Sequence, residues 1–159
     1  MTDPDEDIRS RVPRILNRRF KALAQASGLP LVFGGAVAGG PRSAARRLVL
    51  TEFCGVHSGA LAGIEVRTCV GLGGRALGFG TPQVVADYAA SRFISHEYDE
   101  QVVEQERLAS MFALPVVVGG RPIAVVYGAS RAGPIGDVAL KQGVALVDRI
   151  RQDLSLIHI

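Results

Sequence analysis

Tryptophan is absent from this sequence of 159 residues, and cysteine and methionine occur only twice each. The two cysteines, Cys54 and Cys69, belong to no CxxC pair and to no Cys/His cluster, so the sequence does not support a closed zinc site. One disulfide between them is conceivable. Because nothing in the sequence suggests export, we expect free thiols, as in proteins of a reducing compartment.

Long apolar runs are also missing. No run reaches the roughly 18 residues that a membrane-spanning helix needs, which excludes a transmembrane segment. The N-terminus, MTDPDEDIRS, is acidic where a secretory signal would be basic and then apolar. We therefore expect a cytoplasmic protein that does not contact a membrane.

Neither sign of charge dominates: 18 basic residues face 15 acidic ones, for a net charge of +3. Lysine is rare, and nearly all basic residues are arginines spread along the whole chain. Arginine suits phosphate groups, but this even spread does not identify a nucleic-acid-binding protein. The length fits one domain with a sizeable core, and 48% hydrophobic residues with 21% charged ones are typical of a globular protein.

Apolar residues at helical spacing predict a helix at each end of the chain. The first runs from about Ile8 to Ala26, or begins at Pro13, since proline is common in a first turn. Residues 1–7 before it are expected to form an acidic, disordered N-terminus. The last helix, about 135–154, has steps of three and four residues, which are typical of a narrow packing seam. The members of this seam are Leu140, Gly143, Val147, Ile150 and Leu154.

Strand patterns fill the middle of the chain. The first predicted strand starts at Leu31, and a convincing hairpin is predicted across Gly119-Gly120. The polar segment Glu97–Arg107 is predicted to form a short helix. The remaining predicted strands are Arg47–Cys54, Ile64–Val70, Val84–Tyr88, Phe112–Val118 and Pro122–Gly128. A helix, five or six strands and a second helix make an α+β domain over residues 8–154, followed by a tail, 155–159, that we interpret as a scar or truncation.

The segment Gly71–Ala76, GLGGRA, satisfies the GxGxx(G/A) pattern of dinucleotide-binding proteins and follows a predicted strand. The helix after it extends only from about Gly74 to Phe79, before Gly80 and Pro82 end it. A parallel crossover needs roughly a dozen residues or more. We therefore interpret this segment as a tight turn into a short helix.

The first helix carries six basic residues, which a DNA-recognition helix or a helix on an anionic membrane would also have. No second helix follows at helix-turn-helix distance, because the chain turns directly into a strand. We interpret the basic residues as a solvated face opposite the apolar stripe. They are Arg9, Arg11, Arg14, Arg18, Arg19 and Lys21.

Candidate catalytic groups are few. His57, His96 and His158 occur without an HExxH or GxSxG pattern, so we interpret them as histidines without a catalytic role. Cys54 and Cys69 end successive strands and could form a redox pair, but small core residues are the favoured interpretation. We expect no catalytic residue, no metal and no cofactor.

Two Asp/Tyr pairs, Asp87-Tyr88 and Tyr98-Asp99, flank a polar insert. Tyrosine offers an apolar ring with one polar group, and aspartate can hold an amine or a cation, so such pairs suit a pocket for a small molecule. Helix capping is an equally supported alternative, with Ser95 or Asp99 as the N-cap of the short helix.

Three segments together resemble the GAF sensory domain: GLGGRALGFGTPQVVADYAAS (71–91), SHEYD (95–99) and LPVVVGGRPIAVVYGASR (114–131). The resemblance is closest to GAF domains at the N-terminal side of bacterial helix-turn-helix (LuxR-type) transcriptional regulators. It implies a five- or six-stranded antiparallel sheet with both terminal helices packed on one face. The other face would carry a pocket covered by loops and a helix.

The resemblance also implies an unidentified small-molecule effector and a homodimer formed through the terminal helices. The pocket would lie under the 86–107 insert. The insert lacks the Cys-His dipeptide of bilin-binding GAF domains, and the NKxDE pattern of cyclic-nucleotide binding is absent. The expected ligand-binding residues are Phe53, Cys69, Asp87, Tyr88, Phe93, His96, Tyr98 and Met111.

These observations predict a sensory domain that relays ligand occupancy through its terminal helices to a transcriptional output, without covalent chemistry. No helix-turn-helix follows Leu154, so we expect no direct binding of nucleic acid by this sequence. One alternative is a thiol enzyme similar to the free methionine sulfoxide reductases, with Cys69 or Cys54 attacking the sulfoxide. That family relies on a cysteine between the positions of Val84 and Arg107, where this chain has none. The other alternative is a dimerisation module without a ligand.

Overall fold

The structure is a computed structural model that describes residues 4–39 and 46–155, with the side chains of the first helix from Ser10 onward. The predictions for Arg9, for His158 and for residues 156–159 of the tail lie outside these described parts. The described part of the chain begins and ends in long helices, with strands and two short helices between them.

Helix α1 spans Pro4–Ser27 and therefore begins before the predicted start at Ile8. Pro13 lies inside the helix and does not start it. A proline there removes one backbone hydrogen bond, but the neighbouring stripe that includes Val12, Leu16 and Phe20 is completely or almost completely buried. The burial of this stripe outweighs the lost bond, at about 1.5–3 kcal/mol for each large apolar side chain.

The basic residues of α1 lie on its solvent side, as interpreted. Arg11, Arg14 and Lys21 are exposed. Arg19 turns toward the second terminal helix, α3 (Asp137–Ser155), where its guanidinium binds the carboxylate of Asp153 through two hydrogen bonds of 2.8 and 2.9 Å. This pair holds the two ends of the described chain together.

Seven strand segments form one antiparallel sheet. They are β1 (Leu31–Ala38), β2 (Arg47–Val49), β3 (Glu52–Gly55), β4 (Glu65–Arg67), β5 (Gln83–Val85), β6 (Ser110–Val118) and β7 (Arg121–Ser130). The order across the sheet is β4-β2-β1-β7-β6-β5, and β3 pairs with the same edge of β1 as β2 does. The sheet thus has six strand positions, within the predicted five or six.

The predicted single strand Arg47–Cys54 is wrong, because the chain leaves the edge of β1 between β2 and β3. The amide of Leu50 donates to the carbonyl of Ile64, and the carbonyl of Leu50 accepts from the amide of Gly63. Leu50 therefore pairs with the loop before β4, and the chain returns to β1 at Thr51, whose amide donates to the carbonyl of Gly34 over 3.1 Å, and at Glu52, which pairs with Gly34.

The structure confirms the hairpin that was predicted across Gly119-Gly120, which joins β6 to β7. Both glycines have positive φ, 59° and 77°, as a two-residue hairpin turn of type I′ requires. Both strands are longer than predicted because their outer residues continue the pairing, from Ser110 opposite Ser130 to Val118 opposite Arg121.

Alternation along the strands divides the core between the two faces of the sheet. Val32, Phe112 and Val126 face α1 and α3. Their chain neighbours Phe33, Met111 and Tyr127 face the other side, where helix α2 (Gly71–Phe79) and the polar insert cover the sheet. The predicted architecture, with the terminal helices on one face and a covered pocket on the other, is confirmed.

The seam predicted on the last helix packs inside the domain, in the helix-side core. Gly143, Val147, Ile150 and Leu154 are buried, and Leu140 is partly buried against the same helix-side core. Among the helices of the described residues, none combines the length and the apolar character needed to cross a bilayer.

Candidate functional site

The sheet face opposite the terminal helices bounds a small cavity. The space between its lining residues is about 360 Å³ and includes open solvent, and the centre of a water molecule can occupy only about 30 Å³ of it. This is room for a compact ligand or for one or two waters. The lining residues are Phe33, Leu50, Leu61, Ile64, Val66, Val70, Gly71, Leu72, Gly73, Tyr88, Tyr98, Val102, Met111 and Tyr127. None of them carries a charge.

Helix α2 presents its first turn to this cavity. Gly71 has a φ of +68°, which favours glycine, and its amide donates to the Ser95 hydroxyl over 3.0 Å. A Cβ at Gly73 would overlap the hydroxyl of Tyr127, so only glycine lets the helix and this ring approach so closely. The helix ends at Gly80 in the left-handed conformation. The interpretation of GLGGRA as a tight turn into a short helix is confirmed, although the helix begins at Gly71 and not at Gly74.

Tyr88 and Tyr127 contribute two rings to the wall of the cavity. The Tyr127 ring stacks on Phe33, with 4.4 Å between the ring centroids. Burial is the main reason that the pKa of the Tyr88 phenol is raised to about 12, and it also raises the pKa of Tyr127. Both phenols therefore keep their protons at neutral pH. Neither hydroxyl makes a hydrogen bond within the part of the chain that the structure describes.

The polar insert forms the roof of the cavity, and side-chain bonds hold it in place. Both ring nitrogens of His96 are engaged, Nδ1 by the Asp99 carboxylate at 2.8 Å and Nε2 by the Ser91 carbonyl at 2.6 Å. These two acceptors, the Ser91 carbonyl first, raise the pKa of His96. The His96 ring packs edge-on against Tyr88, with 6.1 Å between the centroids.

Two further bonds fasten the roof to the body of the domain. Arg67 forms an ion pair with Glu97, and Arg75 of α2 donates to the carbonyl of Phe93 over 2.9 Å. The roof ends in a short helix of π type, Glu100–Gln105, in the region where a short helix was predicted. Within residues 4–39 and 46–155, no cluster of three His, Cys, Asp or Glu side chains is placed to hold a metal ion.

Solved structures share this arrangement over nearly the whole chain. The free methionine-R-sulfoxide reductase of Neisseria meningitidis, solved with its substrate, superposes with a TM-score of 0.69 at 21% identity over 99% of this chain and 94% of its own. The GAF domain of a phosphoenolpyruvate-protein phosphotransferase from Coxiella burnetii gives a TM-score of 0.71 at 13% identity over 98% and 92%. The chain has the GAF fold.

A third structure with this fold is a form of the NreA protein of Staphylococcus aureus mutated in its nitrate-binding site. It superposes with a TM-score of 0.64 at 17% identity over 78% of this chain and 91% of its own. No protein-family model matches the sequence. The identities to these solved structures are low, so they establish the fold of this chain and not its chemistry.

One curated protein is similar in sequence: the HTH-type transcriptional activator RamA of Corynebacterium glutamicum, at 32% identity over 111 residues. The matched region covers 69% of this chain but only 39% of RamA. The chain therefore spans less than half of the length of this relative.

The structure places three of the predicted site residues, Tyr88, Tyr98 and Met111, in the wall of the cavity described above. The Tyr98 hydroxyl is already bonded, since it donates to the carbonyl of Glu65 and accepts from the amide of Arg67. Their role in ligand binding stays a prediction.

The other predicted site residues lie outside the cavity wall. Phe53 stacks behind Phe33 at 5.8 Å, and His96 lies behind Tyr88. Asp87 and Phe93 line a separate groove at the surface beside α2. Cys69 is exposed in the turn before α2, in the left-handed conformation with a φ of 65°.

The two cysteines lie on different faces of the sheet. Cys54 is half-buried and packs against the helix-side core, whereas Cys69 precedes α2 on the cavity side. Both thiols are free. Cys69 lies beyond the end of β4 in a turn, with its thiol beside Gly78 of α2, so the hypothesis of a close redox pair is wrong. The favoured interpretation as a small core residue is also wrong for Cys69, because its side chain is exposed.

The predicted alternative role of Ser95 or Asp99 as the cap of the short helix is wrong, because no side chain caps that helix. Ser95 caps α2 and not the short helix, through the amide of Gly71. The carboxylate of Asp99 is bound to His96 and makes no cap bond to the short helix.

Sequence reasoning missed Phe33, Tyr127 and the first turn of α2 as cavity residues. The signal for the two rings is the period of two along β1 and β7: Val32 and Val126 face the helices, so their aromatic neighbours must face the cavity. The sequence holds no comparable signal for the first turn of α2, because its position depends on how α2 packs on β7.

Proposed function

We propose that this chain is a sensory domain that binds a small molecule and forms the input part of a transcriptional regulator. The observation that carries the proposal is the cavity without charged lining residues on the sheet face opposite the terminal helices. Pockets that are largely apolar and contain a few convergent polar groups are typical of small-molecule sites. The similarity to part of a transcriptional activator supports the regulatory role.

The same strands connect the cavity with the terminal helices. Met111 of β6 lines the cavity, and the next residue, Phe112, packs under α3 at Gly143. A ligand that displaces β6 would therefore displace the surface on which α3 rests. Such a ligand changes the output only if it binds one arrangement of the helices more tightly than the other.

The proposal includes a cytoplasmic location and a homodimer through the terminal helices. The seam of α3 is already buried inside the chain, so a dimer has to use other helix surfaces. Val138 and Val144 of α3 are exposed at 70% and 43% and are candidates for this contact. Binding of nucleic acid is assigned to other parts of the regulator.

The test is a screen of metabolites by thermal unfolding, followed by hydrogen exchange on any molecule that binds. A ligand at 100 times its Kd stabilises the folded state by about 2.7 kcal/mol. We expect at least one saturable ligand, and we expect it to change amide exchange in α1 or α3 as well as around the cavity. An empty screen, or binding without any response of these helices, contradicts the proposal.

A matched pair of variants ties the binding to the cavity. Leu61→Phe adds volume to the lining and should abolish binding, at an overpacking cost of about 1–3 kcal/mol in stability. Val56→Phe makes the same kind of change in the same β3–β4 loop at a position that is 84% exposed. It should leave both stability and binding unchanged.

A second candidate function is reduction of free methionine sulfoxide, which the overlap with the Neisseria reductase favours. Two observations oppose it: neither cysteine lines the cavity, and no lining residue has a negative charge to receive the ammonium group of an amino acid. The test is a reductase assay of the wild type and of a variant with both Cys54→Ser and Cys69→Ser. Activity that disappears in the variant supports a thiol enzyme, and absent or unchanged activity rejects it.

A further inference from the structure

The wall of the cavity presents almost only apolar atoms to the space that it bounds. Aliphatic side chains such as Leu50, Leu61 and Val66 form much of this wall, and the rings of Phe33 and Tyr127 stack on one another in it. A water molecule needs about two to four polar partners to be held in a buried site. Water is therefore held weakly here, and an apolar molecule displaces it easily.

Polar groups beside the cavity are bonded within the protein. The amide of Gly71, at the start of α2, donates to the hydroxyl of Ser95. The Tyr98 hydroxyl donates to the carbonyl of Glu65 and accepts from the amide of Arg67. A polar ligand would lose its bonds to water and find few partners in exchange, which is costly.

The cavity also lacks a charge that could bind an ion, because no lining residue is charged. The lining residue Tyr98 has two acidic neighbours in the chain, and both are paired: Glu97 binds Arg67, and Asp99 binds His96. The sequence hypothesis that aspartate holds an amine or a cation in this pocket therefore finds no support. An ion in this cavity would be buried without a counter-charge, which costs far more than burying a neutral group.

We propose that the ligand is an uncharged, apolar molecule of about two to four non-hydrogen atoms, such as a short hydrocarbon or a dissolved gas. The inference rests on the proposed sensory function and assigns its ligand to a chemical class. The size follows from the cavity: the centre of a water molecule can occupy about 30 Å³ of it, and one water needs roughly 10–15 Å³. The affinity comes from the apolar area that the ligand removes from water and from its dispersion contacts with the wall.

Isobutene, acetamide, acetate and the guanidinium ion share a planar, Y-shaped outline and differ in polarity and charge. Titrations of the wild-type protein with each molecule, followed by NMR shifts of methyl groups and amides, separate polarity from size. We expect saturable binding of isobutene, with the largest shifts at lining residues such as Leu61 and Met111. Acetamide and both ions should bind at least about 100-fold more weakly. The proposal is overturned if isobutene does not bind, or if either ion binds in the cavity as tightly as isobutene.

A comparison of ethane, propane and isobutene with dioxygen distinguishes a hydrocarbon from a dissolved gas. Each carbon atom that is added and buried should tighten binding about fourfold until the space is filled. Such a rise assigns the site to hydrocarbons. Tighter binding of dioxygen than of ethane, which has the same number of non-hydrogen atoms, assigns it to a dissolved gas. Both results support an uncharged, apolar ligand.

An enlarged cavity should accept a larger apolar molecule. Leu61→Ala removes part of the wall at a side chain that is 3% exposed, and this variant should bind benzene at least about tenfold more tightly than the wild type. Val56→Ala shortens an exposed side chain in the same loop and should leave benzene binding unchanged. If circular dichroism shows that Leu61→Ala is unfolded, the wild-type titrations decide alone. A folded Leu61→Ala variant with unchanged affinity for benzene overturns the proposed site.

The response of the terminal helices separates this inference from the sensory function. Isobutene that fills the cavity without changing amide exchange in α1 or α3 supports the apolar ligand and contradicts the sensory function. A polar molecule from the wider screen that binds in the cavity and changes exchange in these helices has the opposite meaning. It supports the sensory function and overturns the apolar ligand.

Discussion

At the scale of single residues, Glu106 is the most constrained charged group of the described chain. Its side chain is 2% exposed. The carboxylate accepts from the Ser58 amide at 2.9 Å, from the Ser58 hydroxyl at 2.6 Å and from Arg131 at 2.9 Å. Arg131 also donates to the carbonyl of Val56. One carboxylate thus joins the β3–β4 loop, the end of the roof and the end of β7.

The protonation of Glu106 should make the stability of the fold depend on pH. Burial raises the pKa of this carboxyl, but the bonds from Ser58 and Arg131 outweigh burial and lower it. A lowered pKa stabilises the fold above the ordinary pKa of glutamate, about 4.3, and this stabilisation is lost as pH falls through the folded value. We predict that Glu106→Gln lowers the free energy of unfolding by about 1–3 kcal/mol at neutral pH.

Urea unfolding between about pH 3 and pH 7 measures this effect, because glutamate changes its charge in that range. Glu106→Gln should also flatten the loss of stability at the acidic end. Glu104→Gln is the same change at an exposed position two residues earlier and should have little effect. If the two variants had the same pH profile, the network around Glu106 would not stabilise the fold.

At the scale of elements, α3 and β6 approach each other at a glycine. A Cβ at Gly143 would lie 2.8 Å from Cζ of Phe112 and 3.0 Å from Cδ1 of Leu114. Gly128 of β7 leaves space for the same Phe112 ring from within the sheet. The ring of Phe112, the residue after the cavity residue Met111, thus lies between Gly128 and Gly143. We therefore expect α3 and β6 to move together.

We predict that Gly143→Ala is destabilising although alanine favours helix. The gain in helix propensity is about 1 kcal/mol, and the overpacking against Phe112 costs about 1–3 kcal/mol. In a Phe112→Leu background the smaller side chain makes room, so the penalty should shrink. A double-mutant cycle by chemical denaturation measures this coupling.

Gly136→Ala, just before α3, is the control for this cycle. A Cβ there meets no atom within 4 Å, so its effect should be small in either background. Additive free energies for Gly143→Ala and Phe112→Leu would contradict a steric contact between α3 and β6.

At the scale of the whole molecule, two cores share one sheet. The helix-side core contains the buried stripes of α1 and α3, and the cavity-side core contains α2 and all three tyrosines. β1, β6 and β7 contribute to both cores through alternate residues. Loss of either core would leave one face of these strands exposed to water, so we expect the domain to unfold as a unit.

The absence of tryptophan makes this expectation simple to test. Tyrosine fluorescence reports only on the cavity side, and far-ultraviolet circular dichroism is dominated by the long helices on the other side. We predict coincident denaturation curves from the two signals. Ile150→Ala, at a fully buried position of α3, should shift both curves by the same amount, about 2–5 kcal/mol. A tyrosine signal that stayed in place would reveal two independent units.

Much of the fold follows from local sequence signals. The Gly119-Gly120 turn has a backbone that few other residues adopt, and it determined the β6–β7 hairpin. Helical spacing determined α1 and α3, and the overall plan followed from the resemblance to GAF domains. Element ends were less predictable, because burial keeps Pro13 inside α1 and the pairing of Leu50 interrupts a strand that looks continuous in the sequence.

The site itself depends on tertiary structure. The resemblance to GAF domains put Tyr88, Tyr98 and Met111 near the pocket, but a sequence does not state which way a loop side chain turns. Only the packing of α2 on Tyr127 decides that the first turn of α2 lines the cavity, and only the fold of the insert decides that the carboxylate of Asp99 binds His96. The sequence by itself therefore determined the elements and the fold class through local preferences. The tertiary structure alone decided which residues line the cavity, because that depends on contacts between residues far apart in the chain.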